Sequence, residues 1–175
     1  MKTYSIIALG IIVTMIVAGS LSTGLTMPVK KPTRGSALSA SQDKDFAPGF
    51  DDLMTMLVQP RHIKLYYAGT AKNWELAAAE SRDLRSSFDR IAQGIPNYES
   101  FEVKRALAAF ITPKIGALDA AIAAADAKKF SDAYNQLTTG CNDCHTYMEH
   151  PFLVIKVPAG SADAAHPDQD FKPGP

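Results

Sequence analysis

The sequence predicts an all-α protein. The expected architecture is an antiparallel up-down-up-down four-helix bundle with a flexible N-terminal linker and a C-terminal tail. Three observations lead there. Four stretches repeat apolar residues every three or four positions, as one face of a helix does. The links between them are short, which forces neighbouring helices to run antiparallel. No strand alternation of any length appears outside Phe152 to Val157. The 175 residues suit one domain. With 46% apolar and 21% charged residues, the chain has the mix of an ordinary globular protein. Its formal net charge of zero gives no reason to expect nucleic acid as a partner.

Residues 1–25 carry one early charge, Lys2, then an apolar run from Ile6 to Val17, then the small residues Ala18, Gly19 and Ser20. This is the order of a secretory signal. The run is short for a membrane span, which needs about 20 residues. The segment is therefore expected to be a signal peptide, or an N-terminal anchor if it is not cleaved. Export to the periplasm follows, with membrane contact only through that segment if it is retained. Residues 26–47 hold Pro28, Pro32 and Gly35 without apolar periodicity and read as a linker.

The helical domain is expected over residues 48–157. Its first stretch carries Phe50, Leu53, Met54, Leu57, Val58, Leu65 and Tyr66, with Pro60 inside it. Proline is favoured at the first helical position, so the main first helix is expected to begin near Gln59. The second stretch steps through Trp74, Ala77, Ser81, Leu84, Phe88 and Ile91, and stops before Gly94 and Pro96. In the third, Val103, Leu107, Phe110, Ile111, Ile115, Leu118 and Ile122 form the stripe, and Pro113 is expected to kink it. The fourth aligns Phe130, Tyr134, Leu137, Cys141, Cys144 and Met148. Residues 158–175, rich in Pro, Gly, Ala and Asp, read as an extended or disordered tail.

The chemistry concentrates in Cys141-Asn142-Asp143-Cys144-His145. These are the only cysteines, and a pair this close is a poor disulfide staple, because a staple works best across a long loop. On a helix, both thiols and the imidazole fall within one turn. Each thiol can then add to one haem vinyl group while the histidine reaches the iron. Two other readings use the same residues. A thioredoxin-like redox motif needs a strand before it, whereas here a helix precedes. A zinc site would take Cys141, Cys144, His145 and His150, four ligands inside ten residues, which would strain a helix.

A helical bundle with this pentad near the end of its last helix resembles the cytochrome c-prime type, over roughly residues 48 to 150. The segment Asp126-Ala127-Lys128-Lys129-Phe130 leading into the last helix is similar too. The resemblance implies one covalent haem c between helices, His145 as proximal ligand, and a role in electron transfer or small-gas binding. The chain departs from that pattern at His150 to Pro158, a long apolar extension, and at Arg61-His62-Ile63-Lys64-Leu65. Both departures leave the sixth iron ligand open.

His62 shares a face with Met54, Val58 and Leu65. With a helix start near Gln59 it lies in the first turn, level with His145, and becomes the expected sixth ligand. If the helix starts near Phe50 instead, Met54 is the level residue. The two are about 12 Å apart along a helix, so only one can serve. His150 is too near His145 to reach the opposite haem face unless the segment Phe152 to Val157 folds back, and is expected at its edge, while His166 lies in the tail. Arg61 or Lys64 could pair with a haem propionate. Trp74 is expected to pack rather than to carry electrons.

The expected function is that of an exported mono-haem c-type cytochrome, a one-electron carrier for redox partner proteins rather than an enzyme. His145 and His62 would be the iron ligands, and Cys141 and Cys144 the attachment points. A gas-binding or sensing protein with an open sixth site is the second expectation. A non-haem zinc-binding or structural bundle is the third.

Overall fold

A computed structural model describes residues 47–174. The expected signal or anchor at 1–25, and residues 26–46 of the expected linker, lie outside the described residues. The described chain is mostly helical, as expected. Its elements are α1 (Phe50–Leu53), α2 (Gln59–Thr70), α3 (Trp74–Gly94), β1 (Asn97–Tyr98), β2 (Phe101–Glu102), α4 (Val103–Phe110), α5 (Thr112–Ala123), α6 (Ala127–Tyr147) and α7 (Ala162–Ala165).

The expected helix start near Gln59 is corrected. The chain enters helix at Phe50, where the Gly49 N–H donates to Asp52 Oδ2 at 3.0 Å. From there it continues unbroken through a π-helical turn, Met54–Val58, into α2. Proline has no N–H, and its ring crowds the carbonyl four residues back. The chain meets Pro60 by widening the preceding turn, so that the Gln59 N–H bonds to Met54 O across five residues. Pro113 acts as expected: α4 and α5 meet at a 45° bend. The short antiparallel hairpin of β1 and β2 was not anticipated, and it turns at Glu99 with φ +51°.

Caps set the other boundaries. The Asn73 side chain accepts from Leu76 N at the start of α3, and Asp126 accepts from Lys129 N at the start of α6. Three helices end on a left-handed residue: Lys72, Ala125 and Glu149. At the end of α6, His150 N–H bonds to His145 O and Glu149 N–H to Thr146 O. That paired 6→1 and 5→2 closure satisfies carbonyls the helix leaves free.

The helices pack α2 on α3, α5 on α6, α3 on α5 and α2 on α6. Leu65, Leu84, Ile91, Ile115, Leu118, Tyr134 and Leu137 are fully buried between them. Polar links cross the same interfaces. Arg61 pairs with buried Glu80 at 3.1 Å and with Asp83 at 3.3 Å, joining α2 to α3. Asp119 of α5 takes Ser81 and Arg85 of α3. The segment expected as an extended tail returns to the domain instead. Phe171 is buried against Tyr67, and Asn73 Nδ2 donates to Lys172 O at 2.9 Å.

Two glycines permit the closest approaches. A Cβ on Gly69 would lie 2.0 Å from the tip of the Phe130 ring, so that ring of α6 rests directly on the backbone of α2. On Gly140 a Cβ would meet Phe110 O at 2.6 Å, so α6 rides directly on the bend between α4 and α5. Phe130 has little room to yield, being buried against Trp74 and Tyr134. Gly69→Ala should therefore destabilise by about 1–3 kcal/mol through overpacking, against a helix-propensity gain of up to about 1 kcal/mol. Gly116, mid-α5, has nothing near its Cβ position, so Gly116→Ala should stabilise by up to about 1 kcal/mol. Denaturant unfolding of both variants checks the opposite signs; a stable Gly69→Ala would mean the α2–α6 contact is looser than described.

Candidate functional site

The apolar stripe of α6 carries Phe130, Tyr134 and Leu137 into the core and continues as Cys141, Cys144 and Met148. Both cysteines are free thiols. Cys141, His145 and Met148 line one wall of a cavity of about 400 Å³, a size common for cofactor pockets. Phe50, Met54, Val58 and His62 line the facing wall from the first helix, and Phe152, Leu153 and Ile155 close a third side. A crevice of about 30 Å³ lies against Cys144 and shares Phe50, Met54, Cys141, His145 and Met148 with the larger cavity.

Burial governs the thiols. It pushes Cys141 up to about 12, with the neighbouring Cys144 adding to the effect, and Cys144 up to about 11. At neutral pH both are therefore protonated. A thiol–disulfide exchange centre needs the opposite, a depressed pKa and an accessible thiolate. The helix before the pentad points the same way, since the thioredoxin pattern places a strand there.

His145 Nδ1 lies 2.7 Å from Leu153 O. A carbonyl only accepts, so Nδ1 is the donor, and in the neutral ring the lone pair is on Nε2. That is the arrangement in which a ligating histidine is oriented by its other nitrogen. Two thiols on an apolar wall, one turn apart, beside an imidazole with Nε2 free, fit a thioether-linked haem. Among the described residues no three His, Cys, Asp or Glu side chains converge as a metal-ion donor set. His150 also lines the cavity, with Nδ1 on Met148 O at 2.6 Å and Nε2 3.4 Å from the Tyr98 hydroxyl.

His62 reaches the cavity but is fully committed elsewhere. Only 4% exposed, it places Nε2 at 3.0 Å from Thr138 Oγ1 and Nδ1 at 3.0 Å from the Tyr134 hydroxyl. In either tautomer both nitrogens have a partner on α6. With Nδ1 as the donor to it, the Tyr134 hydroxyl is free to give its one proton to His62 O at 2.8 Å. Thr138 precedes His145 by seven residues, about 10 Å of helix, so His62 sits below the level of the pentad. Met54, eight residues before His62, lines both the cavity and the crevice together with His145. Sequence reasoning named both residues; the π-helical turn that decides their levels carried no signal beyond Pro60. Arg61, expected near a propionate, is held by Glu80 and Asp83. Trp74 packs edge-on against Phe130. The Asn142 contacts with Ile155 were missed, because nothing in the pentad's spacing singles out its second residue.

No family model matches the chain, and no curated protein or solved structure does.

Burial holds His62 down from 6.5 to about 4. The unfolded chain binds this proton first, so stability is complete above about pH 6.5 and is lost as pH falls toward 4. Between pH 7 and pH 5 the expected loss from this one group is about 2 kcal/mol. Denaturant unfolding at the two pH values, compared with His62→Gln, checks it: the variant should lose most of that difference. Equal pH dependence in both proteins would show that His62 titrates as it does in water.

Proposed function

We propose that the chain is a mono-haem c-type cytochrome that carries single electrons between redox partner proteins. Its helices form an antiparallel up-down-up-down bundle of the cytochrome c-prime kind, taking the bent pair α4–α5 as one arm. Export to the periplasm supplies the compartment in which such attachment occurs. One observation carries the reading: Cys141, Cys144 and His145 share one turn of α6, with Cys141 and His145 on the wall of the larger cavity, Cys144 on the crevice beside it, and His145 Nδ1 hydrogen-bonded to Leu153 O.

The residues act in defined ways. Cys141 and Cys144 would hold the haem by thioethers, each thiol adding its sulfur to one vinyl carbon and its hydrogen to the other, so that no oxidant would be needed. His145 offers Nε2 to the iron. When bound, the haem supplies a metal that alternates between ferric and ferrous states. The mostly apolar walls would lower the dielectric around the group, which bears on the potential. A second iron ligand would come from Met54 rather than from His62. A helix that starts at Phe50 brings Met54 beside His145, while both nitrogens of His62 are engaged on α6. A thioether ligand suits electron transfer.

Acid-acetone extraction and an optical spectrum test this in protein made with the c-type maturation system. Wild-type haem should stay with the protein, and Cys141→Ala with Cys144→Ala should release it. Met54→Ala should turn the haem high-spin and open to carbon monoxide, with His62→Ala leaving the spin state unchanged. A spectral change in His62→Ala alone would return the ligand to His62. Wild-type haem that is already high-spin and binds carbon monoxide would favour the gas-binding reading, and absence of haem absorbance would leave a non-haem bundle.

A further inference from the structure

The segment that follows α6 is held to the helix by a residue of the pentad itself. Asn142 Nδ2 donates to Ile155 O at 2.9 Å, and Ile155 N–H donates to Asn142 Oδ1 at 2.7 Å. A side chain thus makes both bonds that a neighbouring strand would make with one residue of an antiparallel ladder. Two residues earlier, Leu153 O accepts from His145 Nδ1 at 2.7 Å. The geometry repeats on both partners. Asn142 and His145 are three apart on a helix and so share a face. Leu153 and Ile155 are two apart on extended chain and so present their backbone groups along one edge. Among the described residues, Asn142 and His145 make the only side-chain hydrogen bonds from α6 to residues 152–157. Asp143, the other variable position of the pentad, is exposed and reaches only Lys114, at 4.0 Å.

We propose that Asn142 is a positioning residue for His145. It pins Ile155, which sets Leu153 O over Nδ1 and holds the imidazole in the one tautomer that leaves Nε2 able to bind iron. The proposal rests on the haem reading for its purpose, but its geometry does not need the haem. A neutral imidazole carries one proton, and a fixed carbonyl acceptor decides which nitrogen keeps it. The same bond makes the ring a stronger donor, which favours ferric over ferrous iron. Without Asn142 the backbone of Ile155 turns to water for partners, and the carbonyl of Leu153 loses its fixed place.

Two variants of the full chain test this from opposite sides. Asn142→Ala removes the clamp from the helix; Ile155→Pro removes the donated N–H and leaves α6 untouched. Nitrogen-15 NMR of the His145 ring, in full chain made without haem, should find Nδ1 protonated in the wild type and a tautomer mixture in both variants. In haem-loaded protein both should raise the reduction potential, by up to about tenfold in ferric over ferrous affinity, or about 59 mV for a one-electron couple. A merely structural clamp would lower thermal stability and move neither readout. A folded variant of either kind with unchanged tautomer and potential overturns the proposal. A wild type that takes up no haem, yet shows the tautomer change in both variants, overturns the haem reading and leaves the clamp standing.

Discussion

A buried imidazole cannot be left without partners, because a polar group in a low-dielectric interior loses the water that would have satisfied it. His62 meets this requirement on α6 alone, through Thr138 and Tyr134. Tyr134 returns a bond to the His62 carbonyl, so side chain and backbone are held together. These bonds set the register of α2 against α6. About two turns further along the same interface, Gly69 receives Phe130 directly. The register then propagates in the other direction. Eight residues back along the first helix and seven forward along α6 are nearly equal rises, about 12 and 10 Å. Met54 and His145 therefore arrive at one cavity.

The end of α6 builds the rest of the site. The helix stops on Glu149 in the left-handed region, with its last carbonyls closed by the amides of Glu149 and His150. Pro151 cannot continue a helix, and the chain turns there, with Leu153 N–H bonded to His150 O. Its path lies over His145, where a backbone carbonyl takes the imidazole proton, and over the cavity, which Leu153 and Ile155 help to wall. The mostly apolar surroundings keep both thiols protonated. They are a poor setting for thiolate chemistry.

Much of the fold was legible because periodicity reports burial directly. The apolar residues of α3, α5 and α6 are the ones found inside, and Asn73 and Asp126 cap where their side chains allow. Pro60 misled for a definite reason. Proline is compatible with a first turn, and also with a helix interior that widens by one residue; both leave the same local pattern. The tail misled by composition. Phe171 is one aromatic in a polar, proline-bearing stretch, yet one aromatic is enough to anchor the segment on Tyr67. The hairpin of β1 and β2 is too short to leave any alternation to read.

By itself the sequence determined that the chain is helical and where its helices turn. It also determined that two thiols and an imidazole share one turn of the last helix, since 3.6 residues per turn fixes that wherever the helix lies. Only the tertiary structure decided which residues face that turn. The level of Met54 depends on a π-helical turn, the engagement of His62 depends on partners 72 and 76 residues away, and the tautomer of His145 depends on a carbonyl brought back by Asn142. Each of these is a meeting of groups distant in sequence or on different backbone paths, and local propensity carries no record of such meetings.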